Sequence, residues 1–224
     1  MGLVDETDGL FVDDVQRTKV AASLANAFAL ILLPFMRDMI PGSTPGHVLT
    51  KPMPGTGAGY LVSASHLIFT GKRAPAMSFP TNKDEVKKVL TSVLSSGQPV
   101  VFFDNVAESL ASDALASAMT DRYSDRLLGG NRTVDIDVRC QWVFTANNIR
   151  MSGELMRRCM MVELDARMAS PESRTEFKNG DIIEYVRAHR GRPVWACLTV
   201  IQNWIDKGQQ KWVGRGMANY RPHE

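Results

Sequence analysis

The sequence predicts an α/β fold. It is a mainly parallel five-stranded sheet with helices on both faces, in the three-layer α/β/α arrangement that houses a phosphate-binding loop (P-loop), followed by a small helical lid. Three observations point there. Short apolar runs alternate with helical stretches from residue 47 onward, the pattern of a parallel sheet covered on both sides. The glycine-rich run Lys51-Pro-Met-Pro-Gly-Thr-Gly-Ala-Gly59 falls between such a run and a helical stretch. No strand-like run follows Pro171, so the last segment reads as helical.

The elements follow in order. Asp13–Ile40 reads as helix, with Asp13 and Asp14 at its electropositive N-terminal end and Pro34 expected to kink or divide it. Pro41-Gly-Ser-Thr-Pro-Gly46 is a breaker cluster. His47–Thr50 is a strand leading into the glycine loop, and Tyr60–Phe69 is helix. Ala76–Phe79 is a weak strand. Thr81 or Asn82 caps a helix running through Ser96, with Asp84 and Glu85 in its first turn. Pro99–Phe103 is a buried strand ending in Asp104-Asn105. Ser112 caps a helix to Met119. Thr133–Arg139 alternates as a strand, and Gln141–Thr145 is a second buried one. Ser152, Gly153 and Glu154 open a short helix to Arg158, and Met160–Leu164 is the last strand. Asp181–Ile205 is mostly helical around Gly191-Arg-Pro193. The organisation is therefore an N-terminal helical segment (1–46), a P-loop core (47–170) and a helical lid (171–224).

Composition narrows the function. The chain has 224 residues, 44% hydrophobic, with a formal net charge of +2. That charge gives no global signal for binding a polyanion, so any nucleic-acid contact must be local. Cys140, Cys159 and Cys197 are scattered, without the paired spacing of a metal or redox site, and read as small buried apolar residues of a reducing cytosol. The N-terminus lacks the basic-then-apolar pattern of a secretory signal. The longest apolar run, Ala27–Met36, contains Pro34 and falls short of the ~20 residues that span a bilayer. The expectation is a soluble cytoplasmic protein without a membrane partner.

The candidate chemistry starts at the loop. A strand–glycine loop–helix segment presents backbone N–H groups that cradle the phosphates of a nucleotide. Pro54, Gly55, Thr56, Gly57, Ala58, Gly59 and Tyr60 are the candidate nucleotide contacts. The loop departs from its motif at two positions: Ala58 stands where a lysine reaches the phosphates, and Gly59 where a Ser or Thr holds Mg²⁺. Asp104, at the tip of a buried strand, can reach such a Mg²⁺ at the sheet's carboxyl edge. Asn105 sits where a glutamate would polarise attacking water; an amide orients water but cannot take its proton. Asn147 or Asn148, ending another strand, touches the γ-phosphate, positions water, or forms a turn. Arg157 and Arg158 form either an arginine finger for a neighbouring subunit or a solvated basic helix end. Around Gly129-Gly130-Asn131, Arg126 and Arg132 flank either a hairpin tip that grips a nucleic-acid backbone or a plain surface turn. Trp195, Trp204 and Trp212 read as lid core and surface.

This order of motifs resembles the AAA+ ATPases over about Asp13 to Asp206. The resemblance is strongest to the AAA+ domains in replication proteins of phages and integrating elements, akin to superfamily 3 helicases and MCM-type motors. It rests on Pro54-Gly-Thr-Gly57, Phe103-Asp-Asn105, Asp125-Arg-Leu-Leu-Gly129, Thr145-Ala-Asn-Asn148 and Arg157-Arg158. It implies ATP and Mg²⁺ as cofactors and a hexameric ring with ATP between subunits. Asp104 and the glycine loop would lie on one side, with Arg157 or Arg158 from the next. It further implies DNA moved through the central channel during replication of a mobile element. Relatives carry lysine where this chain has Ala58, so hydrolysis is expected to be impaired; Gly59 and Asn105 fit the subfamily. The relatives also continue past Ala218-Asn-Tyr220, so the lid is expected to be truncated. The alternative expectation is a non-catalytic nucleotide-binding assembly or regulatory module.

Overall fold

The structure is a computed structural model describing residues 14–126, 133–166, 168 and 170–210. Asp13, Leu127–Arg132 and Trp212 therefore lie outside the described residues. In chain order the elements are α1 (Asp14–Met36), β1 (Gly46–Lys51), α2 (Ala58–Thr70), β2 (Ala76–Met77), α3 (Lys83–Ser95), β3 (Val100–Val106), β4 (Ser109–Leu110), α4 (Asp113–Ala118), β5 (Arg122–Arg126), β6 (Thr133–Asp137), β7 (Gln141–Asn147), β8 (Arg150–Met151), α5 (Gly153–Met156), β9 (Cys159–Glu163), α6 (Ile182–His189) and α7 (Gly191–Asp206). Short 3₁₀ turns follow α1 at Arg37–Met39 and precede α6 at Pro171–Ser173.

The main sheet has five strands in the order β2-β3-β7-β1-β9, every pair parallel. Side chains alternate between its faces. Val48, Val101, Phe103, Trp142 and Phe144 pack with Leu90 of α3 and Leu115 of α4. Leu49, Val100, Phe102, Val143 and Val162 pack with Leu30 of α1 and Ala58 and Val62 of α2. The sheet thus has a helical layer on each face. Phe103 anchors the first layer, stacked on Trp142 and Phe144 with Phe79 edge-on at 5.1 Å.

Several expected boundaries move. Helix α1 runs undivided through Pro34 and ends at Met36, then tightens into the 3₁₀ turn. Helix α2 starts at Ala58, two residues before the expected Tyr60. Asn82, not Thr81, caps α3, accepting from the Asp84 and Glu85 N–H groups. Ser112 and Ser152 cap α4 and α5 as their sequences predict. Strand β3 continues past Phe103 to Val106 by means of a bulge. The expected helix at Asp181–Ile205 is two helices, α6 and α7, broken at Arg190. Strand β5, which no apolar alternation announces, pairs antiparallel with β6 outside the main sheet, as the hairpin alternative requires. Trp195 is 70% exposed, so it is not lid core.

Arginine 190 fastens the lid. Its Nε donates to the Leu67 and Ile68 carbonyls, both at 3.0 Å, and its Nη2 to Phe69 O at 2.8 Å. These are C-terminal carbonyls of α2, of which Leu67 O also accepts the Gly71 N–H at 2.9 Å, and a guanidinium suits the negative end of the helix dipole. Ile183 and Val186 of α6 add apolar contacts with Ala64, Leu67 and Ile68.

Tolerating its scattered polar residues, the stretch Gln16–Met39 is long and apolar enough to cross a membrane, with mean hydropathy 1.7 and 17% of it buried. The Ala27–Met36 run alone understates this. In the fold α1 lies on β9 and α2, with Val20, Leu24 and Phe28 on its outer face.

Candidate nucleotide site at the carboxyl edge of the sheet

Strand β1 lies between β7 and β9, and its carboxyl end opens into the loop 52–57. The connection from β1 enters α2 on one face of the sheet. The connection from β7 enters α5, whose Leu155 packs on the other face. Adjacent parallel strands whose connections leave to opposite faces create a crevice at their carboxyl ends, where open α/β sheets bind ligands.

The loop's shape depends on glycine at two points. Gly55 has φ +81°, and a Cβ there would lie 3.0 Å from the Glu172 backbone N and 3.1 Å from Glu172 Oε2. Gly57, with φ +92°, is the N-cap of α2 and offers no side-chain cap. The first N–H groups of α2 are therefore left for a partner other than a capping side chain. Ala58 is 1% exposed, packed with Leu49, Val62 and Val143. Tyr60 is exposed on the first turn of the helix. The Thr56 hydroxyl oxygen is shielded from solvent and has no hydrogen-bond partner.

Two strands away, Asp104 and Asn105 form the bulge of β3. Phe103 pairs with Phe144 and Val106 with Ala146, so one extra residue is inserted between them. Asn105 takes φ +51°, which asparagine tolerates better than most residues. The Thr145 hydroxyl accepts the Asn105 N–H at 2.9 Å and donates to Asp104 Oδ1. Thr145, fully buried, thus aims an exposed carboxylate from the sheet edge. A threonine at the end of an otherwise apolar strand was the available signal for this positioning role.

The two asparagines separate. Asn148, with φ +44°, ties β7 to the loop's base: its N–H donates to Lys51 O at 3.2 Å and its Nδ2 to Pro52 O at 3.4 Å. Asn147 pairs in register with Lys51, and its Oδ1 is shielded without a hydrogen-bond partner. The two arginines also separate. The Arg158 side chain is 17% exposed, held by Glu154 Oε1 at 2.7 Å and by Ala116 O at 3.2 Å. The Arg157 side chain is 56% exposed and, among the described residues, pairs with the same Glu154, an exposed ion pair of small worth.

Arg126 ends β5 beside a surface cleft of about 560 Å³ lined also by Asp84, Lys87, Lys88, Thr91 and Asp125. The Tyr123 phenol donates to Asp125 Oδ2 at 2.9 Å and braces that corner. Arg132 lies outside the described residues, as do Gly129, Gly130 and Asn131. The cysteines are buried, and burial pushes the Cys140 and Cys159 thiols up to about 12, so they are not nucleophiles at neutral pH. Among the described residues no cluster of three or more His, Cys, Asp or Glu side chains could hold a metal ion.

No protein-family model matches this chain, and no curated protein matches it. The functional reading rests on the geometry.

Proposed function

We propose that the chain is a nucleotide-binding domain of AAA+ ATPase type, part of a ring-shaped, hexameric DNA replication helicase or translocase of a mobile element, with hydrolysis impaired by Ala58. The observation that carries the reading is the convergence at one sheet edge of the uncapped start of α2, the unpaired Thr56 and Asn147 oxygens, and the Asp104 carboxylate. Phosphates fit the free N–H groups and the Thr56 hydroxyl, which donate to them, while the Asn147 oxygen, an acceptor, suits a water or a cation.

Magnesium fits the Asp104 carboxylate. This ion favours one or two carboxylates together with phosphate oxygens over a cage made only of protein. Asp104 offers an exposed carboxylate whose Oδ1 is already oriented by Thr145. The ion would neutralise phosphate charge when bound. Asn147 is the amide placed to orient water or contact a terminal phosphate, while Asn148 holds the loop. Arg157 is the arginine available to a neighbouring subunit, and Arg158 braces α5 on α4. Arg126 remains the described candidate for a nucleic-acid contact.

One observation favours the second reading, a non-catalytic nucleotide-binding module. Ala58 is built into the apolar wall, and Glu172 brings a carboxylate against Gly55. A lysine there neutralises charge on the transferred phosphoryl group, so its absence costs more in turnover than in binding. The test is phosphate release by the chain beside Ala58→Lys, with ATP binding followed by calorimetry. Binding without turnover in the chain, and turnover in the lysine variant, is the expected result. Turnover at background in Ala58→Lys, with binding intact, would favour the non-catalytic module.

A further inference from the structure

We infer that Lys51 supplies the positive charge that Ala58 lacks, holding a phosphate from the strand side of the loop; the inference rests on the nucleotide reading above.

Alternation along β1 places it. Val48 belongs to the layer of α3 and α4, and Leu49 to the layer of α1 and α2. Lys51 is two residues beyond Leu49 and so emerges on the α2 face, the face into which Ala58 packs. It is the last residue of β1, immediately before the loop. Its backbone is fixed: it pairs with Asn147 of β7, and its carbonyl accepts the Asn148 N–H at 3.2 Å.

The side chain itself is uncommitted. Lys51 is half-buried, and it enters no ion pair or side-chain hydrogen bond among the described residues. A flexible four-carbon stem carrying a compact ammonium suits capture of a phosphate as a point charge. Its neighbours need that charge. The Asn147 amide oxygen, on the residue in register with Lys51, is shielded without a partner, and Glu172, whose carboxylate lies against Gly55, repels an incoming anion. Helix α2 contributes no cation in its last turn, and its far end lies about 20 Å from the loop. The strand therefore delivers the charge that the first turn of the helix does not.

The experiment is calorimetry of the full chain with MgATP and, separately, with inorganic tripolyphosphate, on the chain and on Lys51→Met, Lys51→Arg and Ala58→Lys. Losing a charged contact should weaken both ligands about tenfold or more in Lys51→Met, while Lys51→Arg stays within about threefold. Ala58→Lys alone should gain less than about threefold in affinity, because the charge is already present, yet should restore the affinity of Lys51→Met when the two are combined. Equal binding by the chain and Lys51→Met would overturn the role of Lys51 and leave the nucleotide reading standing. Should Lys51→Met not fold, a gain of more than about tenfold in Ala58→Lys alone would overturn it equally. Absence of binding in both the chain and Ala58→Lys would overturn the nucleotide reading itself, and this inference with it.

Discussion

The two ends of the central sheet hold their polar residues differently. At the amino edge, long polar side chains tie separate segments of the fold together, although Arg37 Nε and His47 Nε2 are left without partners. Arg37, 5% exposed, donates from Nη1 to Ile40 O at 2.9 Å and from Nη2 to Gly42 O at 2.7 Å and Val138 O at 2.9 Å. Burial and the nearby Arg139 lower its pKa, so those three carbonyls hold a guanidinium that the surroundings would otherwise reject. Gln141 Nε2 donates to Leu30 O at 3.0 Å and lies beside the buried His47. At the carboxyl edge, Asn105 and Asn148 take left-handed backbone, and the Thr56 and Asn147 oxygens find no partner. The same strands run from one end to the other. The difference lies in the backbone: both edges shield polar atoms without partners, Arg37 Nε, His47 Nε2 and Trp142 Nε1 at the amino edge among them, but the left-handed asparagines gather at the carboxyl edge.

The sharpest way to break this comparison is at the amino edge. Arg37→Met should cost about 3–4 kcal/mol, because one buried and two half-buried carbonyls lose their donor, while affinity for nucleotide stays unchanged. Urea unfolding beside calorimetry checks both halves. A stability loss under about 1 kcal/mol would show that the arginine is not a structural strut.

Next comes His47, whose pKa burial lowers to about 4. Below pH 6.5 the unfolded chain takes up a proton that the folded chain refuses until about pH 4. Stability is therefore fully present above pH 6.5 and falls as pH drops through that window, by up to about 3 kcal/mol. Unfolding of the chain and of His47→Gln, followed from pH 7 to pH 4, isolates this contribution. Parallel curves would mean that the imidazole charges freely in the fold.

The smallest effect belongs to the carboxyl edge. Asp104→Asn should change stability by less than about 0.5 kcal/mol and cost about 1.5 kcal/mol of ATP affinity, in the presence of Mg²⁺ only. Calorimetry with and without the ion reads the difference. A loss that is equal in both conditions would remove Asp104 from the metal's surroundings.

Much of the architecture was legible because local signals agreed with long-range packing. The runs Pro99–Phe103 and Gln141–Thr145 are apolar enough to be buried on both faces, and they became β3 and β7. Asn82, Ser112 and Ser152 carry caps that act within three or four residues. Strand β5 was not legible: Arg122–Arg126 has one apolar residue, Tyr123, and exists by pairing with β6. The start of α2 was hidden because Gly57 caps it through backbone conformation and leaves no Ser, Thr or Asp to read. The glycine loop, Asp104 and the paired residues Asn147-Asn148 and Arg157-Arg158 could be named from their order. Choosing within each pair required contacts from distant segments, such as Ala116 O on Arg158 and Pro52 O on Asn148. Glu172 reached the loop from more than a hundred residues away, a proximity that no local pattern announces.

The grip of Arg190 on the last carbonyls of α2 has a mechanical meaning. The helix is held at both ends by segments distant in sequence: Glu172 lies against Gly55 at the front, and Arg190 grips the rear. The loop and the last two helices therefore meet through one element, α2.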